Sequence, residues 1–154
     1  MDDSHTGPGR SGQPPGTPLQ FTGPGRPLRA LIIDDNTRFR TALVGLLTLA
    51  GLDVFQAADG ARGIDVARES GPDVVITDIY MPGVGGLPTI ELLRHHWPAL
   101  KIIAMSAADG TPLDLSHRSV ELGADRFIGK PFDPKDLLAI IAQLFAGASE
   151  PWPR

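Results

Sequence analysis

The sequence has no cysteine, which excludes a disulfide framework, thiol catalysis and cysteine-ligated zinc or iron. Any metal it takes must be held by oxygen or histidine. No apolar run approaches the roughly 20 residues that span a bilayer, and Met1 to Arg10 shows no basic region followed by an apolar stretch. Neither a membrane span nor a secretory signal is read, so the cytoplasm is the expected compartment. Basic charge is scarce too: 14 Lys and Arg stand against 18 Asp and Glu, a net charge of −4. Nothing draws the chain as a whole to nucleic acid phosphates, and direct nucleic acid binding is not expected. Internal repeats are also missing. What is present is 154 residues, 42% hydrophobic and 21% charged, enough for one domain with a sizeable core and little beyond it.

Glycine and proline are spread unevenly. Twelve fall within Met1 to Pro27, out of 18 Gly and 15 Pro in the whole chain. With only Leu19 and Phe21 as large apolar residues before Leu28, this arm is expected to be disordered, because it cannot bury enough surface to offset the entropy of ordering. Residues 28–146 then form the domain, and 147–154, with two prolines and Trp152, a short tail.

Between the ends, short apolar runs alternate with amphipathic segments, the pattern of an α/β fold with a parallel sheet covered on both faces. Strands are expected at Arg29 to Ile33, Leu52 to Gln56, Asp73 to Thr77, Lys101 to Met105 and Arg126 to Ile128. Asn36 offers a cap for a first helix whose Phe39, Leu43, Leu46, Leu47 and Ala50 share one face, with Gly51 as its left-handed stop. Further helices are read at Gly60 to Ser70, after the loop Met81-Pro82-Gly83-Val84-Gly85-Gly86 as far as His95, and near Leu113 to Leu122. A last helix is capped by Asp133 with Pro134 at its first position, and Leu137, Leu138, Ile141, Leu144 and Phe145 give it a wide apolar face.

Ligands of open parallel sheets sit at the carboxyl ends of the strands. There the sequence places Asp34 and Asp35, Asp78, Ser106 and Lys130. Two carboxylates about 4 Å apart repel by roughly 4 kcal/mol at an effective dielectric near 20, so such a cluster must gain a proton or hold a cation. An all-oxygen set of this size suits Mg2+.

Four signatures, Ile33-Asp34-Asp35-Asn36, Thr77-Asp78-Ile79-Tyr80-Met81-Pro82-Gly83, Met105-Ser106-Ala107 and Gly123-Ala124-Asp125 running on to Lys130-Pro131-Phe132, resemble those of the receiver domains of bacterial response regulators from about Arg29 to Leu144. The resemblance implies a doubly wound (βα)5 flavodoxin-like fold with strand order 2-1-3-4-5. It makes Asp78 the phosphoacceptor, taking a phosphoryl group from a sensor histidine kinase, a phosphotransfer protein or a small acyl phosphate. Asp35 and Asp78 then bind Mg2+ directly, Asp34 through water, and the Tyr80 backbone carbonyl completes the ligands. Lys130 and the Ser106 hydroxyl bond phosphoryl oxygens, a cis Lys130-Pro131 bond aims the lysine inward, and Ser106 with Phe127 forms the switch. Phe127 lacks a phenolic hydroxyl, so its inward state rests on packing. Tyr80, Ala107 and Ala108 are placed to tune the phosphate lifetime.

Each residue also has a plain reading. Asp34 and Asp35 can cap a helix, Asp78 and Ser106 can begin turns, Lys130 can be a solvated charge and Phe127 simple core. His95 and His96, at a helix end, are assigned nothing. Joint occurrence at one end of the sheet favours the functional reading. Two other classes compete: a phosphorylation-independent pseudo-receiver, and a Mg-dependent phosphatase of the haloacid dehalogenase type. The latter needs an Asp-x-Asp pair where this chain has adjacent aspartates. With no output domain read after the last helix, the expectation is a stand-alone, chemotaxis-type receiver. It is not an enzyme beyond assisting its own phosphotransfer and autodephosphorylation. It signals to a downstream protein through its fourth helix, fifth strand and fifth helix, and a phosphorylation-dependent homodimer fits the same scheme.

Overall fold

Strand β1 (Arg29–Ile33) alternates its side chains between two cores, because successive residues of a strand point to opposite faces. Ala30 and Ile32 enter one apolar cluster, Leu31 and Ile33 the other, and all four are fully buried. The structure, a computed structural model, describes residues 21–23, 25–107 and 112–146.

The chain continues as α1 (Thr37–Leu49), β2 (Asp53–Ala57), α2 (Gly60–Ser70), β3 (Val74–Asp78), α3 (Gly86–His96), β4 (Lys101–Ala107), α4 (Pro112–Glu121), β5 (Arg126–Lys130) and α5 (Pro134–Phe145). The five strands pair in parallel in the order β2-β1-β3-β4-β5. This is the doubly wound order expected, and every predicted strand and helix is present with ends shifted by at most a few residues. Val74 and Ile76 of β3 and Ile103 and Met105 of β4 join β1 in the first cluster, together with Leu43 and Leu47 of α1 and Leu137 and Ile141 of α5. Val75, Ile102 and Ala104 face the second cluster with Val66 of α2 and Ile90 and Leu93 of α3. Each such side chain contributes about 1.5–3 kcal/mol on burial, so the two faces together fix the register of the central strands.

Local signals explain the helix ends. Asn36 accepts the Phe39 backbone N–H at 3.0 Å and so caps α1, while Gly51, at φ 91°, supplies the stop. Asp59 caps α2 and Asp133 caps α5, with Pro134 at its start. The wide apolar face expected of α5 is only partly covered: Leu137 and Ile141 are buried, whereas Leu138, Leu144 and Phe145 are half-buried.

One expectation is corrected. The arm does not run unordered to Pro27, because Thr22–Gly23 pairs antiparallel with Arg26–Pro27. Phe21 is buried in the first cluster, its N–H donating to the Ala50 carbonyl at 3.4 Å. Arg26 makes a two-pronged ion pair with Asp73 at 2.7 and 3.0 Å, and Asp73 also accepts the Arg29 backbone N–H at 2.8 Å. One aromatic ring and one fork of charge are enough to order this short strap. The rest of the arm up to Gln20, together with Pro24, Ala108 and the 147–154 tail, lies outside the described residues.

Candidate functional site

Asp34 leaves the end of β1 fully buried, yet every polar atom of its carboxylate has a partner. Oδ1 accepts the Asn36 backbone N–H at 2.8 Å and Oδ2 accepts Lys130 Nζ at 2.7 Å. Arg40, one turn into α1, holds the Asp34 carbonyl at 2.6 Å. Among the described residues no buried side-chain nitrogen or oxygen lacks a hydrogen bond, as a low-dielectric interior requires.

Asp78, the last residue of β3, meets this pair. Its Oδ2 lies 3.5 Å from Lys130 Nζ, and one carboxylate oxygen from each of Asp34, Asp35 and Asp78 falls within 4.8 Å of the others. Asp34 and Asp78 are buried, while Asp35 is exposed at the open side. Burial holds the Asp78 carboxyl above the ordinary carboxylate range; Lys130 opposes that rise, Asp34 adds to it, and the Tyr80 backbone N–H lowers it again. The loop after β3 is pinned from below. The Ile79 N–H donates to the Met105 carbonyl at 2.8 Å and the Gly86 N–H to the Ile79 carbonyl at 2.9 Å. A Cβ at Gly86 would stand 2.0 Å from the Asp78 carbonyl oxygen, so only glycine lets α3 begin against the end of β3.

Lys130 ends β5 and precedes a cis bond to Pro131. Its ammonium sits over the Phe39 ring, 4.1 Å from the centroid. Ser106 is buried one residue beyond Met105, the register partner of Asp78, and its hydroxyl donates to the Ala107 carbonyl at 3.2 Å. Phe127 is half-buried against the second cluster, and the Tyr80 side chain is exposed. The structure thus brings Asp34, Asp35, Asp78 and Lys130 into one group, with Ser106 on the adjoining strand and Phe127 further down β5. The phenyl support under Lys130 is not legible in the sequence pattern. The helical pattern assigned Phe39 to the core face, and only its place one turn after the acidic pair hinted at more.

Fold and site together define a doubly wound α/β protein with an acidic, lysine-bearing rim at the carboxyl ends of its strands. The family model of the response regulator receiver domain matches residues 30–142, and the chain belongs to that family. It is similar to the response regulator GacA of Pseudomonas viridiflava, 36% identical over 123 residues covering 78% of this chain and 56% of that protein. It is also similar to the nitrate/nitrite response regulator protein NarL of Escherichia coli K12, 32% identical over 123 residues covering 79% and 56%. The chain therefore spans about half the length of the curated relatives it matches. Among solved structures, the Vibrio cholerae chemotaxis protein CheY4 superposes with a TM-score of 0.70 at 26% identity, covering 76% of this chain and 98% of that one. A putative response regulator from Chloroflexus aurantiacus reaches 0.73 at 28% identity, covering 79% and 99%. No helix among the described residues is long and apolar enough to cross a membrane.

Proposed function

We propose that the chain accepts a phosphoryl group on Asp78 and passes the event to a protein partner as a conformational change. The observation that carries this reading is a cluster of three carboxylates, two of which, Asp34 at 2.7 Å and Asp78 at 3.5 Å, lie against one ammonium, that of Lys130. An Asp78 oxygen attacks phosphorus in line. The P–N bond of a phosphohistidine on a sensor kinase or phosphotransfer protein, or the P–O bond of an acyl phosphate, breaks as the new acyl–phosphate bond forms. Charge in that loose transition state spreads over the equatorial oxygens, and Lys130 is placed to neutralise one of them. The chain takes no separate substrate through a catalytic cycle; it assists its own phosphorylation and the later hydrolysis.

The donor set suits a divalent cation. Three carboxylates against one ammonium leave an excess of negative charge, and the oxygens are hard ligands. Asp35, exposed, and Asp78 would bind Mg2+ directly with the Tyr80 carbonyl. Both oxygens of Asp34 are already engaged, which favours its acting through a water. When bound, the ion supplies positive charge to the phosphoryl oxygens. Phosphorylated Asp78 carries nearly two negative charges and three acceptor oxygens. The Ser106 hydroxyl, bonded to the adjacent Ala107 carbonyl, can rotate toward them, and Phe127 can follow inward. The α4, β5 and α5 face would report the change.

Incubation with magnesium and acetyl phosphate separates this reading from its rivals. A covalent adduct lasting seconds to minutes is expected and should disappear in chelator. Rapid turnover of acetyl phosphate without an adduct would indicate a phosphatase, and no reaction a pseudo-receiver.

A further inference from the structure

Lys130 carries three N–H bonds, and its ammonium has three neighbours, two carboxylates and an aromatic face. Asp34 Oδ2 lies at 2.7 Å, Asp78 Oδ2 at 3.5 Å, and the face of Phe39 has its centroid at 4.1 Å. Phe39 is held at its backbone and at its ring. Its backbone N–H is capped by the Asn36 side chain at 3.0 Å, and Phe132 meets it nearly perpendicular, with centroids 5.8 Å apart and planes at 87°.

We infer that Phe39 is a positioning residue for phosphoryl transfer, its ring face holding the Lys130 ammonium in line with the phosphoryl oxygens. This rests on the reading of Asp78 as phosphoacceptor and adds to it. A lysine on a four-carbon stem needs more than one anchor to keep its direction. A third carboxylate would fix it but would also cancel the charge that the transition state requires. An aromatic face attracts the cation through its quadrupole while carrying no net charge, so it orients the ammonium without neutralising it. The acidic pair, the first turn of α1 and the segment after Pro131 thereby act through one contact.

The test uses the full chain with 3,4,5-trifluorophenylalanine at position 39, which nearly keeps the ring's shape and removes its negative face. With magnesium and acetyl phosphate, the initial rate of phosphate uptake should fall about three- to tenfold while the protein stays folded, its urea midpoint dropping only by what the lost cation–π contact accounts for. Phe39→Leu should show the same loss in rate and Phe39→Tyr should retain the original rate. In the unmodified protein the Lys130 ε-methylene protons should resonate upfield from ring current and move downfield in Phe39→Leu. Uptake by the trifluoro protein at the original rate, or Lys130 resonances that ignore the ring, would overturn the proposal alone. Failure of the unsubstituted protein to take up phosphate would overturn the reading of Asp78 and this proposal with it.

Discussion

Asp34 and Lys130 form the one ion pair of the site whose carboxylate is shielded from solvent on every side. Attraction within such a pair roughly offsets the cost of desolvating it, but removing one partner strands a buried charge, typically at about 3–5 kcal/mol. Lys130→Met should therefore lower the unfolding free energy by about 3 kcal/mol in urea titration. Asp34→Asn in the same background should recover part of the loss, and additive effects of the two changes would show that the pair is not coupled. Asp78 behaves differently. Its pKa is raised in the folded protein, first by burial, so the folded state binds the proton more tightly than the unfolded chain. Its contribution to stability is then fully present below the ordinary carboxylate pKa and lost as pH rises through the raised one. In chelator, Asp78→Asn should unfold at a higher temperature than the parent at neutral pH, and the gain should shrink as pH falls through the acid range. A gain that persists unchanged at acid pH would contradict the assignment of this strain to the ionised carboxylate.

Elements bring these residues together, and α3 does so by beginning at a residue without a side chain. The start of α3 lies so close to the end of β3 that even a methyl group at Gly86 would collide with the Asp78 backbone. Gly86→Ala should destabilise by about 2 kcal/mol or more and reduce phosphate uptake, because the backbone carrying Asp78 must shift; uptake and urea midpoint measured on one preparation check both. At the opposite pole, Phe21 of the strap packs against the end of α1. Phe21→Ala should cost about 3–5 kcal/mol and leave the initial rate of phosphate uptake unchanged, since the bonds of the strap's described residues run to Ala50, Leu28 and Asp73 and not to the site. Ser106→Ala should still accept phosphate. It should lose the change in amide exchange across α4 and β5 that follows phosphorylation in the parent, since that hydroxyl is the group proposed to move.

For the molecule as a whole, the alternation of apolar runs with amphipathic segments made the architecture legible. β1, β3 and β4 are apolar stretches of the kind a doubly covered parallel sheet buries on both faces, and the turn residues stand where the helices end. The acidic rim followed from the rule that ligands lie at strand ends, and Asp34, Asp35, Asp78 and Lys130 converge as that rule required. Two features stayed hidden for physical reasons. The ordering of the strap depends on Arg26 reaching Asp73 far along the chain, a long-range pairing that local composition cannot express. The ring under Lys130 joins α1 to β5, and helical periodicity describes Phe39 only by the face it occupies. The chain matches about half the length of GacA and NarL and nearly the whole of the chemotaxis protein CheY4. What the proposed scheme turns on is the chemistry at Asp78.

That chemistry can be read directly. Treating the protein with magnesium and acetyl phosphate and then reducing it with borohydride converts an aspartyl phosphate into homoserine, which peptide mapping locates. The account predicts homoserine at position 78, none at 34 or 35, and none anywhere in Asp78→Asn. Homoserine at another aspartate, or an adduct that persists in Asp78→Asn, would contradict it.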